Sequence, residues 1–382
     1  MTHSMLQHYW WFIISLLGGM LVFMMFVQGG QSIAMQLAKT DEEEKYVYNS
    51  LGRKWELGFT TFILFGGALY AAFPLFYSVS FGGAYWVWMI ILFSFVVQAV
   101  SYEYRTKPDN MLGEKLYHGF LYFNGFVGTT LIGVAVATFF TGSNFSVHGI
   151  TRQLAWGTAK DSLNLRGLEA AISFEHGALF NILFGLMVLF VVRVTGALWV
   201  NNNVKDETVR ERSRKIAKVN FFILLPILLV VLIMLVTMKG YAVDPKTQVV
   251  SLVDGHYLNN FLANGAFKLI ILLLGAVTFV AGVFIGAFKT KRIGFWIANS
   301  GILFVVLALF MVAGYGNTSF YPSYADLQSS LTIQNASGSL VGLKTMFYVS
   351  FGIPLVLVEV GYTWYVMRKP INEEDVEDTH AY

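Results

Sequence analysis

WWFIISLLGGMLVFMMFVQGGQSIAMQL, residues 10–37, runs for twenty-eight positions without an Asp, Glu, Lys, Arg or His. About 20 apolar residues, rising 1.5 Å each, cross a hydrocarbon core about 30 Å thick. This stretch is therefore long enough to span a bilayer. Eight runs of the same kind follow, at 55–78, 84–103, 117–140, 168–200, 216–238, 261–288, 295–315 and 344–367. No soluble domain carries nine of them. The expected fold class is an all-α polytopic membrane protein with nine transmembrane helices, and any function must work inside or across a membrane.

Composition agrees. Of the 382 residues, 56% are hydrophobic and only 13% are charged, about half the charged share of soluble domains. The net charge of +3 is too small to point to nucleic acid as a partner. Aromatics make up 16% of the chain, and many lie near run ends, as interfacial belts require. The sequence has no cysteine, which excludes disulfides, thiolate metal sites, Fe–S ligation and covalent haem attachment through C-x-x-C-H. The first run begins after nine residues with no Lys or Arg before it. It is also too long for the apolar core of a signal peptide, so it reads as a retained helix.

Charge is unevenly shared between alternate connections. Segments 38–54, 104–116, 201–218, 289–292 and 368–382 hold eighteen Lys and Arg, whereas residues 1–9, 79–83, 141–167, 239–260 and 316–344 hold six. The positive-inside rule then puts the C-terminus in the cytoplasm and the N-terminus outside. The longer polar segment 141–167 separates runs one to four from runs five to eight. The expected layout is a four-helix bundle over 1–140, an extracytoplasmic connection over 141–167, and a second four-helix bundle over 168–315. An extracytoplasmic loop over 316–343 and a peripheral ninth helix with a cytoplasmic tail over 344–382 complete it.

A charge at the bilayer centre costs about 2.5–3.5 kcal/mol on insertion scales, so charges at membrane depth need a reason. The candidates are Glu56, Glu103, Glu175, His176, Arg193, Lys268 and Glu359. Glu56 follows Trp55 at the start of the second run. Glu103 closes the third, and both fall at the cytoplasmic edge of the derived topology. A buried carboxylate has its pKa raised by desolvation, so two of them opening on one side would feed a proton wire; the alternative is a pair of interfacial, snorkelling acids. Glu175, His176, Arg193 and Lys268 read as structural contacts, and Glu359 fits either a helix pairing or a polar route. His176 is the one histidine inside a run and His118 lies at the edge of another, at opposite ends of the membrane. That arrangement does not form a haem site, and no metal site, phosphate loop, H-E-x-x-H or nucleophile motif is present.

Several local stretches carry a resemblance. They are Tyr9-Trp10-Trp11, Asn49-Ser50-Leu51-Gly52-Arg53-Lys54-Trp55-Glu56 and Gly66-Gly67-Ala68-Leu69-Tyr70-Ala71-Ala72-Phe73-Pro74. Tyr102-Glu103-Tyr104-Arg105-Thr106-Lys107, Ser330-Leu331-Thr332-Ile333-Gln334-Asn335-Ala336-Ser337, Gly361-Tyr362-Thr363-Trp364 and the terminal Thr379-His380-Ala381-Tyr382 follow in order. Together they resemble subunit II of the cytochrome bd quinol oxidases over the whole chain, although residues 108–300 match in hydropathy alone. The resemblance implies a complex that oxidises quinol and reduces dioxygen to water with protons taken from the cytoplasm. It implies that haem b and haem d sit in the partner subunit I, that this chain ligates no haem, and that it packs beside that partner. Small single-helix accessory subunits, membrane lipid and a bound quinone are further associations it allows. The implied proton route uses Trp55-Glu56, Glu103 and Tyr382. The chain departs from the family where better-known members carry Asp-Gly-Phe-Asp, since Gln28-Gly29-Gly30-Gln31 stands there, and both route acids are often Asp in relatives. The residues alone also fit a secondary transporter or a purely structural subunit.

Overall fold

The computed structural model describes residues 1–107, 110–149, 151–157, 165–367 and 369–371. Eight helices among them are long and apolar enough to cross a membrane. They are α1 (His3–Gln31), α4 (Tyr85–Tyr104), α5 (Glu114–Thr141), α6 (Ala178–Asn203), α7 (Glu207–Thr237), α8 (His256–Phe288), α9 (Gly294–Gly314) and α10 (Leu340–Val366). Between the first two lie α2 (Asp41–Gly52) and α3 (Trp55–Ala72). The second apolar run therefore ends sooner than its composition implies. Pro74 removes a backbone donor and forbids helical geometry at Phe73, which takes φ −130 and ψ 65. That leaves α3 with 18 residues, about 27 Å of helix.

Two other runs are also interrupted. The fifth starts at Ala178, after a left-handed Gly177 with φ 90, and residues 168–177 form short turns instead. In α8, Asn264, Gly265 and Ala266 have φ of 54, 70 and 58, a left-handed stretch that L-residues do not continue as helix. The Lys268 ammonium donates to the carbonyl of Asn260 at 2.9 Å and to its side-chain oxygen, closing the carbonyl end of the broken turn.

In chain order α1, α3, α4 and α5 make a first group of helices and α6 to α9 a second, and much of the packing runs between the two. Helix α1 packs against α3, α6 and α9; α6 packs against α5 and α7, and α8 against α9. Only 11% of the α10 span is buried, which makes it the peripheral helix expected from sequence. In lipid there is no hydrophobic force between helices, so close packing of small residues holds them together. The tightest crossing is α1 on α6. A Cβ at Gly29 would lie 1.7 Å from the Val192 carbonyl oxygen, and one at Gly196 would lie 2.2 Å from the Gly30 nitrogen.

The connections gather at two ends. At one end, hairpins β1–β2 (Phe145–Val147 with Leu154–Trp156) and β3–β4 (Lys239–Val243 with Val250–Asp254) form a cap with the segment after α9. Ser143 N donates to Pro322 O at 2.9 Å and Val243 N to Asn317 O at 2.8 Å. At the other, basic end, Arg212 Nη1 donates to Leu37 O at 2.9 Å and Glu43 Oε2 at 2.6 Å. Asn202 Nδ2 reaches Arg292 O at 2.8 Å, and Ile371 N reaches Asn203 O at 2.8 Å.

Two outcomes are expected. Gly29→Leu forces the α1–α6 backbones apart, so the full-length variant should be lost from the monodisperse fraction of a detergent extract on size-exclusion chromatography; normal recovery would show that the crossing tolerates separation. For the Glu43–Arg212 pair, the Arg212 hydrogen bond outweighs burial and holds Glu43 below its ordinary value of 4.5. The stability it contributes is present above that value and is lost as pH falls through the lowered one. Glu43→Gln should lower the melting temperature at neutral pH by about 1–3 °C, for a pair worth about 1 kcal/mol, and the gap to the parent should close in acid.

Candidate functional site

The basic end of the first helix group concentrates the polar side chains of an otherwise apolar bundle. The turn from α2 into α3 is closed by Lys54 N donating to Leu51 O at 3.0 Å. Lys54 is 1% exposed, and its ammonium sits 4.4 Å over the Trp364 ring of α10 without a hydrogen-bond acceptor among the described residues. Burial pushes its pKa down to about 8, with Arg53 acting in the same direction.

The next residue, Trp55, stacks on Tyr102 of α4 with ring centroids 6.0 Å apart and planes 13° from parallel. This stack pins the start of α3 to the end of α4. Glu56 and Glu103 each follow one member of the stack, so the structure brings the two acids to the same corner of the molecule. Both are exposed in this chain. They lie on faces of α3 and α4 that turn away from the bundle and are largely apolar farther along, where Ile63, Leu64, Leu92, Phe93 and Val96 are exposed. Tyr382, the third residue of the expected route, lies outside the described residues.

The inward face of α4 is polar at the same level. Gln98 Oε1 accepts from Gln28 Nε2 at 3.0 Å, and the Tyr102 hydroxyl accepts from Gln31 Nε2 at 3.0 Å. Gly125 of α5 makes this possible, since a Cβ there would lie 2.5 Å from the Gln28 carbonyl oxygen. One turn further toward the basic surface, Arg105 Nη1 donates to Glu114 Oε1 at 3.0 Å and lies 3.3 Å from His118 Nε2. The guanidinium sits 4.7 Å over the Tyr48 ring, and that ring stacks on His118 at 4.3 Å. Glu44 Oε2 approaches His118 Nδ1 at 3.8 Å. Burial, then the nearby Glu114 and Asp41 charges, raise the Glu44 carboxyl above its usual range.

Glu44, Glu114 and His118 place their ligand atoms within 4.8 Å of one another, a spacing a metal ion could use. The Arg105 guanidinium already bridges two of them, so a cation of the protein's own holds the cluster together. Neither candidate histidine fits a haem axial position. His118 is engaged by Arg105 and both acids, while exposed His176 stacks on Tyr324 at 4.0 Å at the other end of the molecule.

The remaining deep charges are dispersed. Arg193 is ten residues before the end of α6, with its guanidinium 5.7 Å over Phe190. Buried Lys268 bonds to Asn260, and Glu175 and Glu359 are exposed. Sequence reasoning weighed charges and histidines and so gave no role to Gln98 and Tyr102, and it met Gln28 and Gln31 only as a departure from the family pattern. Their signal was the spacing of 28 with 31 and of 98 with 102, each pair one helical turn apart on one face.

Comparison with known proteins agrees with this architecture. The sequence profile of cytochrome bd terminal oxidase subunit II matches residues 6–367. The chain is 24% identical to a probable cytochrome oxidase subunit 2 of Haemophilus influenzae, covering 98% of this chain and 96% of that one. It is 25% identical to the cytochrome bd-I ubiquinol oxidase subunit 2 of Escherichia coli, covering 99% of both. Its fold is similar to a chain in the structure of bd oxidase from Geobacillus thermodenitrificans, with TM-score 0.61, 11% identity, and coverage of 95% and 98%. The chain belongs to the cytochrome bd terminal oxidase subunit II family, as a multi-pass helical subunit of an oxidoreductase complex in the bacterial inner membrane.

Proposed function

We propose that this chain is the subunit of a quinol:dioxygen oxidoreductase that ligates no haem and helps to bring cytoplasmic protons to haem b and haem d in subunit I. The basic end faces the cytoplasm, with the N-terminus outside and α3 completing nine crossings as the second of them. Residues 1–140 and 168–315 act as its two halves. Subunit I covers the exposed apolar faces of α3 and α4, and Glu56 and Glu103 lie at the edge of that contact.

One observation carries the reading. Two carboxylates that the Trp55–Tyr102 stack holds at one corner stand at the ends of helix faces that become apolar farther along. At the bilayer edge such groups can snorkel to the headgroups, whereas at a protein interface they are desolvated and can exchange protons near neutral pH. In this reading Trp55 fixes the corner, Glu56 and Glu103 load and release the proton, and the Tyr382 hydroxyl extends the path. The chemistry at the haems, and quinol oxidation, belong to the partner.

The test is oxygen consumption by the purified two-subunit complex supplied with reduced quinol. Glu56→Gln with Glu103→Gln should slow turnover by about a hundredfold, the lower range for loss of a positioned proton-transfer group, while the visible haem spectrum stays unchanged. Parental turnover in the double variant would leave a purely structural subunit.

A further inference from the structure

We infer that the seam between α5 and α6 docks a transmembrane helix of another chain, and that this helix carries an Asp or Glu at mid-membrane depth to pair with Arg193. The seam takes no part in the proton route proposed above, and the pairing does not depend on that route.

Arg193 is a deep charge that the chain does not answer. Among the described residues its guanidinium has neither a hydrogen-bond acceptor nor an ion-pair partner. Its neighbours are rings. It sits 5.7 Å over Phe190, and Tyr122 of α5 is near enough to interact with it electrostatically. Phe190 is twelve residues from one end of α6 and thirteen from the other, so the guanidinium is held near the middle of a helix about 39 Å long. Arginines near the ends of spans reach back to the headgroups. This one leans over Phe190, one turn away from the nearer, basic end, so lipid phosphate does not serve as its partner.

The seam opens because α5 changes neighbours along its length. Toward the end capped by the hairpins it crosses α6 closely. A Cβ at Gly133 would lie 2.6 Å from Gly185 Cα, and one at Gly185 would lie 2.6 Å from the Thr130 carbonyl oxygen. Toward the basic end α5 leans on α1 instead, where a Cβ at Gly125 would lie 2.5 Å from the Gln28 carbonyl oxygen. A π-helix over Asn124–Gly128 stands at the change. On the α5 side of the seam Tyr122 is exposed and Phe126 partly so. On the α6 side Leu179, Leu183, Leu186, Phe190 and Arg193 are exposed or half-buried. These five follow one another in alternating steps of four and three, the stripe along which a second helix packs.

Acyl chains can cover the first four of these residues and offer nothing to the fifth. Charged residues inside a membrane pair with one another or face a polar cavity, and polar contacts help to decide which helices associate there. A carboxylate fits this position best. Its two oxygens match the planar fork of the guanidinium, and it cancels the net charge, which a neutral carbonyl would leave.

The experiment uses the full-length chain in its complex, in the native membrane. Leu186, one turn from Phe190 on the same stripe, is replaced by the photo-crosslinking residue benzoylphenylalanine, and the segment joined on illumination is identified by mass. The expected product is a transmembrane helix of another chain with Asp or Glu in the middle third of its span. Its yield should fall about tenfold or more in Arg193→Gln, and return when Arg193→Glu is combined with Arg at the partner's acid. A joined helix with no acid there, a yield unmoved by Arg193→Gln, or crosslinks to lipid or quinone alone would each overturn the inference. If Arg193→Gln is not recovered in the membrane, the parental product decides by itself: an acid in its middle third supports the pairing, and its absence overturns it.

Discussion

The close crossing of α1 and α6 is the constraint on which the rest of the molecule depends. Both backbones are in contact at Gly29 and Gly196, where any side chain would collide with main-chain atoms of the other helix. That contact fixes the rotation of α1 about its own axis. With Gly29 turned to α6 and Gly30 to Leu51 of α2, Gln28 and Gln31 are directed to the remaining side, where α4 supplies Gln98 and Tyr102. The polar contact between α1 and α4 is thus set by small residues that never touch it. A bulky residue at position 29 would disturb the second group of helices and, through the same rotation, the buried amides.

The two ends of the bundle are held by different chemistry. At the basic end, long charged side chains reach across connections, as Arg212 does to Glu43 and Leu37. At the opposite end few charges are available. There the chain uses backbone hydrogen bonds between two hairpins and the segment after α9, and buries Tyr321 among Phe76, Phe139 and Phe145. One consequence is electrostatic. Titratable groups are concentrated at the end where Glu56, Glu103, Glu44 and His118 stand, while the other end is closed largely by neutral contacts.

Most of the fold was legible because a span of hydrocarbon imposes a length and a composition that sequence shows directly. The interruptions were not. Pro74 was visible, but apolar residues on both sides of it concealed that α3 stops at Ala72, and the left-handed residues 264–266 lie inside an apolar run that continues past Asn264 and Lys268. At the site, Trp55, Glu56 and Glu103 were legible as charges next to aromatics, and the structure does bring them to one corner. Whether the two acids are buried or interfacial was left open because a linear pattern places a residue at membrane depth without saying which way it faces. The uncharged residues were hidden for another reason: a Gln in an apolar helix looks like a tolerated polar residue until a second amide is found opposite it.

The exchange of acids for amides at Gln28 and Gln31 then has a physical meaning. An ionised carboxylate buried on the bundle axis would need a counter-charge, and Arg105, one turn beyond Tyr102, is already engaged by Glu114 and lies beside His118. Neutral amides satisfy the same positions through hydrogen bonds alone, with no charge to desolvate. The acids retained in this region, Glu56, Glu103, Glu44 and Glu114, all lie where solvent, a partner subunit or Arg105 can stabilise their ionised form. The carboxylates of this region are therefore kept off the axis between α1 and α4, which is left with neutral groups joined by hydrogen bonds.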